Sequence, residues 1–167
     1  MNIESISSGE LKIQLSVINI VEGTSVDGTG LRTSIYFAGC NHCCKGCHNP
    51  QSWDINNGHL MTISEILQVV EENDFNVTFT GGDPLVQLEK IIPLARAIKE
   101  DLGKTIWCYT GYTWEQIIAD TKYMPLLQYI DIVVDGPFIE SLRDISLLFR
   151  GSSNQRLIEV QKILATL

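Results

Sequence analysis

Strand-like and helix-like segments alternate along most of this sequence, which predicts an α/β protein with a mainly parallel sheet and outer helices. Two further observations refine that expectation. The predicted strands end one after another in loops rich in Cys, Gly, Asp and Thr, and the carboxyl ends of parallel strands are where α/β folds collect functional loops. The β-α units are also too few for a closed eightfold barrel, so a partial (βα) barrel is expected. At 167 residues, with no repeat, low-complexity run or long linker, the chain suits a single domain, 1–167.

The elements follow in order. Residues 1–10 carry Ser7-Ser8-Gly9 and predict a loose terminus. From Lys12 to Val21, Ile13, Leu15 and Val17 alternate with polar residues, the period of a half-buried strand. Glu22 to Gly30 reads as a glycine-rich loop, and Leu31 to Ala38 as a buried strand feeding a cysteine-rich loop. Thr62-x-x-Glu65 is a capping box, followed by Ile63, Ile66, Leu67 and Val70 at helical spacing. Asn76–Thr80 is the next strand. A helix runs from about Glu89 to Leu102 and stops at Gly103; Pro93 fits it only in the first turn. Thr105–Thr110 is a strand, Thr113-x-x-Gln116 caps a short helix, and Tyr129–Val134 is a further strand. Arg150–Arg156 reads as a polar loop, and 157–167 fits strand or helix equally.

The chemistry is concentrated in Gly39–Pro50, where Cys40, Cys43, Cys44 and Cys47 lie close together and the remaining cysteine, Cys108, stands apart in an apolar strand. Nothing suggests a secreted disulfide scaffold. Thiolates suit zinc or an iron–sulfur cluster. Structural zinc usually takes two separated ligand pairs, and no second pair exists, although His42 or His48 could complete a site. A [4Fe–4S] cluster could take Cys40, Cys44 and Cys47 with Cys43 spare, or Cys40, Cys43 and Cys47 with Cys44 spare. Either register leaves one iron open to a ligand. The first spacing, Cys-x3-Cys-x2-Cys, is the signature of radical S-adenosylmethionine enzymes.

Gly81-Gly82-Asp83-Pro84 follows a strand. It reads as a turn that brings backbone close to a ligand, with Asp83 accepting from a cationic amino group, or as plain punctuation before a helix. Thr110 and Asp135 end strands that would point to the mouth holding the cysteines, unless they are ordinary turn residues. His42 and His48 are packing or supporting groups if a cluster is present. Arg150–Arg156 could bind a carboxylate, a nucleoside or a partner chain, or be solvated.

Net charge is −8, from 20 acidic and 12 basic residues, which disfavours a nucleic-acid partner. No apolar run reaches membrane-spanning length, and the first residues lack the basic and apolar regions of a signal peptide. With the thiol-rich loop, this predicts a reducing cytoplasm.

From about Val21 onward the chain resembles the small activating enzymes of anaerobic ribonucleoside-triphosphate reductases. The resemblance rests on Gly39-Cys40-x3-Cys44-x-Gly46-Cys47-His48-Asn49, Thr80-Gly81-Gly82-Asp83-Pro84-Leu85, Trp107-x-x-Thr110-Gly111-Tyr112, Val134-Asp135-Gly136 and Phe149-Arg150-Gly151-Ser152-Ser153-Asn154-Gln155-Arg156. Activators of pyruvate formate-lyase share Asp27-Gly28-x-Gly30-x-Arg32 and Cys47-His48-Asn49 but are typically longer and lack the Arg-Gly-Ser-Ser-Asn-Gln run in this form. The resemblance implies a partial barrel of the radical S-adenosylmethionine type and a [4Fe–4S] cluster on Cys40, Cys44 and Cys47, with Cys43 extra. It implies an S-adenosylmethionine site lined by Gly46, Cys47, His48, Gly81, Gly82 and Asp83, where many radical enzymes carry glutamate in place of the aspartate. Thr110, Asp135 and Asn154 are expected to help hold the cofactor, and Arg150 to order the site or receive the substrate. The implied reaction is reductive cleavage of S-adenosylmethionine to place a radical on a glycine-bearing loop of the reductase's large subunit. An electron donor such as flavodoxin or ferredoxin is implied. The competing expectations are an activator of another glycyl-radical enzyme and a non-catalytic zinc adaptor.

Overall fold

The computed structural model describes residues 2–167; Met1, the first residue of the expected loose terminus, lies outside them. The strands are β1 (Gln14–Thr24), β2 (Arg32–Phe37), β3 (His59–Thr62), β4 (Asn76–Gly81), β5 (Ile106–Tyr109), β6 (Ile132–Asp135) and β7 (Arg156–Glu159). They form one sheet in the order β3-β1-β2-β4-β5-β6-β7. The centre, β2-β4-β5-β6, is parallel, while β1 pairs antiparallel with both β2 and β3, and β7 with β6. The short 25–31 connection can only return the chain beside β1 antiparallel, whereas the parallel pairs need helical crossovers.

Period-two alternation gives the sheet two unlike faces. Leu15, Val17, Ile35, Phe37, Val77, Phe79, Ile106, Cys108 and Val133 face the helices in one buried cluster. Ile63, Ile66, Leu67 and Val70 of α1 (Ile63–Asn73) and Ile91, Leu94 and Ile98 of α2 (Leu88–Glu100) supply most of the covering layer. The shorter helices α3 (Trp114–Ile118), α4 (Met124–Leu127) and α5 (Val160–Leu164) add Ile117, Leu126, Leu127 and Val160. Both expected capping boxes are present, at Thr62/Glu65 and Thr113/Gln116. No described helix is long and apolar enough to cross a membrane.

The opposite face carries Arg32, Tyr36, Thr78, Trp107 and Tyr109. Arg32 is buried there, donating to Thr78 Oγ1 (2.7 Å), Val77 O (2.6 Å) and Thr29 O (3.2 Å), with Trp107 5.4 Å away. Burial pulls its guanidinium down to about 10. Asp27 accepts from the Tyr36 hydroxyl (2.6 Å) and its carbonyl from Thr78 (2.8 Å), so the glycine-rich loop is strapped to this face. Gly28 is required by that arrangement: a Cβ there would lie 2.6 Å from Arg32 Cδ, and its φ is +140°.

Several expectations are corrected. The terminus is tied down, because Ile6 joins the core and Ser5 donates to Asp101 through both amide and hydroxyl. A 3-10 turn at Glu10–Lys12 precedes β1, and β1 runs on through Glu22-Gly23-Thr24, which the sequence assigns to a loop. Pro93 lies in the second turn of α2 rather than the first. The carbonyl it leaves without a partner belongs to Glu89, an exposed residue, where water can satisfy it. The ambiguous tail is strand and helix in succession, β7 and then α5.

Candidate active site

Each parallel strand ends at one side of the sheet, and its following loop converges on a single cavity. After β2, the Gly39 amide donates to Ser52 O (2.7 Å) and the Cys40 amide to Trp53 O (3.0 Å), closing the cysteine loop on the 3-10 turn Pro50–Ser52. Within the loop the Cys47 amide donates to Cys44 O (3.1 Å). All five cysteines are free thiols. Cys40, Cys44 and Cys47 line the cavity, whose volume is about 230 Å³. Cys43 is exposed, sits in the left-handed region (φ +48°) and is not part of the lining. One thiol in the run is therefore turned away from the other three.

The donor set fits an iron–sulfur cluster. Three thiols share one cavity, and thiolate is the ligand such clusters take. Among the described residues no three His, Cys, Asp or Glu side chains converge as a single ion requires. A cluster spreads its irons over separate corners, so its ligands stand apart. Burial pushes the Cys40 thiol up, and a bound metal holds such a ligand deprotonated.

Gly81 and Gly82 owe their identity to backbone packing. A Cβ on Gly81 would lie 2.4 Å from Phe37 N, and one on Gly82 2.3 Å from Gly39 O. Without side chains, the Gly82 amide reaches Phe37 O (2.8 Å) and the Asp83 amide reaches Gly39 O (2.7 Å), fastening the end of β4 to the entrance of the cysteine loop. Both glycines also line the cavity. Asp83 is buried behind them. Its Oδ1 accepts from the Leu85 amide (3.0 Å), and its Oδ2 from Thr110 Oγ1 (2.8 Å) and the Gly111 amide (3.0 Å). His42 Nε2 lies 2.7 Å from the same Oδ2, and its ring packs edge-on against Tyr112.

The structure brings Cys40, Cys44, Cys47, His48, Gly81, Gly82 and Thr110 together in the lining. Asp83 touches it through Thr110 and His42. Gly46 lies outside, packed under Glu140, which pairs with Lys45. Asp135 also lies outside, contrary to the expectation that it faces the mouth. Its oxygens accept from the Trp114 amide (2.7 Å) and from Arg156, and Gly136 takes the place in the lining. In the 150–156 loop Gln155, not Asn154, reaches the lining. Gln155 Oε1 accepts from the Gly151 amide and its Nε2 donates to Gly136 O. Asn154 donates to Pro137 O (2.8 Å), while its Oδ1 and Arg150 Nε are buried without a partner among the described residues. Sequence reasoning did not single out Tyr109, Phe138 or Gln155. The signals that pointed to them were the place of Tyr109 at a strand end, of Phe138 just after Val134-Asp135-Gly136, and of Gln155 within the 149–156 motif, where no role was assigned to it. Phe138 packs edge-on against His48, and Tyr109 donates to Phe149 O (2.8 Å).

A family model described as a 4Fe-4S single cluster domain matches residues 26–158. A protein of Pasteurella multocida (strain Pm70) is 37% identical over 139 residues, covering 78% of this chain and 88% of that one. One of Escherichia coli (strain K12) is 36% identical over 141 residues, covering 78% and 89%. One of Enterobacteria phage T4 is 36% identical over 139 residues, covering 79% and 86%. Each is named anaerobic ribonucleoside-triphosphate reductase-activating protein. Among solved structures, QueE from Escherichia coli superposes with a TM-score of 0.51 at 18% identity, over 60% of this chain and 54% of that one, a likeness of fold alone.

Proposed function

Because the chain belongs to the family of anaerobic ribonucleoside-triphosphate reductase-activating proteins, we propose that it generates the glycyl radical of such a reductase. The observation that carries this reading is the single cavity holding Cys40, Cys44 and Cys47 with Cys43 turned out of it. The cofactors are a [4Fe–4S] cluster and S-adenosylmethionine; when bound, the pair would supply one-electron reductive cleavage of a sulfonium S–C bond, releasing methionine and giving a carbon-centred radical able to take a hydrogen atom from glycine.

The chain's own part is binding, orientation and exclusion of water. Cys40, Cys44 and Cys47 would hold the cluster, and the methionine end of the cofactor would bind beside it in the same cavity. Gly81 and Gly82 let that end approach backbone, and Asp83 fixes Thr110 and Gly111 around it. Among the described residues Asn154 Oδ1 and Arg150 Nε have no partner, which supports a role for that loop in receiving a ligand. Phe138 and His48 wall off one side of the cavity. In this reading the mostly parallel sheet would serve as a partial barrel, with the face that carries Tyr36, Trp107 and Tyr109 toward the substrate. The electron donor is a flavodoxin or ferredoxin, and the place of action the cytoplasm.

The test is anaerobic incubation of the reconstituted protein with S-adenosylmethionine, reductant and the reductase, read by electron paramagnetic resonance. A doublet from a glycine-centred radical is expected. Cofactor cleavage without that signal, and with a radical on pyruvate formate-lyase instead, would replace the reductase as substrate.

A further inference from the structure

A second hollow, of about 180 Å³, opens beside the cysteine cavity, and Asn49 and Gly81 line both. We propose that this groove, formed by Ile18, Asn19, Val21, Tyr36, Asn49 and Gln51, holds the main chain of the reductase segment that bears the target glycine. The proposal deepens, and rests on, the activating function argued above.

Three observations carry it. First, the register of β1 against β2 slips between Val17, opposite Phe37, and Asn19, opposite Tyr36. This bulge adds Ile18 and turns Asn19 and Val21 to the open face; such bulges re-aim side chains beside active sites. Second, the groove is built to match a peptide unit. Ile18, Val21 and the Tyr36 ring give an apolar floor, since the Tyr36 hydroxyl is already engaged by Asp27. The Asn19 side-chain amide has no partner among the described residues. Gln51 Nε2 donates to Asn49 Oδ1 (3.4 Å), which leaves Asn49 Nδ2 as a donor and Gln51 Oε1 as an acceptor. A side-chain amide offers both a donor and an acceptor, as a peptide bond does. Third, on the proposed function the target is glycine, which has no side chain of its own to recognise, so contacts to the main chain around it are a natural means of holding it. A segment bound here would lie next to the cavity that holds the thiols.

Asn19→Leu and Gln51→Leu each remove one amide, from separate segments, with little change of volume. Three measurements on the reconstituted protein decide the matter: uncoupled S-adenosylmethionine cleavage, affinity for a synthetic peptide spanning the reductase's radical glycine, and radical yield at limiting reductase. Each variant should bind the peptide roughly fivefold more weakly, the effect of about one hydrogen bond. Radical yield should fall while uncoupled cleavage and the melting temperature match the parent. Parent-like peptide affinity in both variants would overturn the proposal, as would loss of cleavage, which would assign the groove to the cofactor. Should one variant melt early, the other decides. If the parent itself places no radical on the reductase, the activating function fails; if it does and both variants bind like it, only the groove is wrong.

Discussion

Asp83 spends its accepting capacity on the protein's own groups: Leu85, Thr110, Gly111 and His42. An amino group of the cofactor would have to share Oδ2 with those donors or take the place of His42. Asp83→Asn should therefore act on folding as well as on binding. Hydrogen bonds to charged groups are worth about 1.5–3 kcal/mol each in such settings. We expect a loss of about 2 kcal/mol in urea unfolding of the cofactor-free protein, together with weaker S-adenosylmethionine binding in anaerobic titration. Unaltered stability would mean that the carboxylate is held by its surroundings rather than holding them. The cysteines make a sharper pair. Cys43→Ala should retain iron and visible absorption, whereas Cys44→Ala should lose both, because only Cys44 lines the cavity. The reverse result would shift the ligand register by one residue.

The elements are joined at the β6–β7 edge by one ionic hub. Arg156 of β7 reaches Asp135 of β6 (2.6 Å) and Glu115 of α3 (2.8 Å). Its guanidinium, bonded to the Glu115 side chain, holds that carboxyl down to about 2. A depressed folded pKa means that the pair's contribution is complete above the ordinary glutamate value, near 4.5, and is lost as pH falls toward 2. Glu115 is exposed, so solvent screens the effect. Glu115→Gln should lower the melting temperature slightly at neutral pH, and the gap from the parent should close as pH drops from about 4.5 to 2. A gap that stays constant across that window would remove charge from the explanation.

At the scale of the whole molecule, the amino-terminal segment is bound to the far end of α2. Asp101 accepts from the Glu4 amide (3.2 Å), the Ser5 amide (3.1 Å) and the Ser5 hydroxyl (2.5 Å). Ile6 then enters the core. Asp101→Ala should free this segment without opening the sheet. Hydrogen exchange at Glu4 and Ser5 should speed up, while amides of β4 and β5 keep their protection. If the central strands also lose protection, the terminus is part of the cooperative core rather than a clasp on it.

The sequence by itself determined the α/β class, the alternation of elements, both capping boxes and the loop that carries the thiols, because these depend on periodicity and on contacts a few residues apart. It also marked the Gly-Gly-Asp-Pro turn and the strand ends around the cavity. It left two cysteine registers open, since spacing along a loop does not say which side chain turns outward; in the fold Cys43 is exposed and outside the cavity lining, while Cys44 is in it. It could not separate Asp135, whose oxygens go to Arg156 and Trp114, from its neighbour Gly136 at the cavity. The glycines at 81 and 82 are explained by the backbone of Phe37 and Gly39, far away in the chain. Partners of that kind, and a bulge that turns Asn19 to the open face, arise only when separate strands lie side by side. A hydrogen bond between strands depends on their register, which no single segment contains.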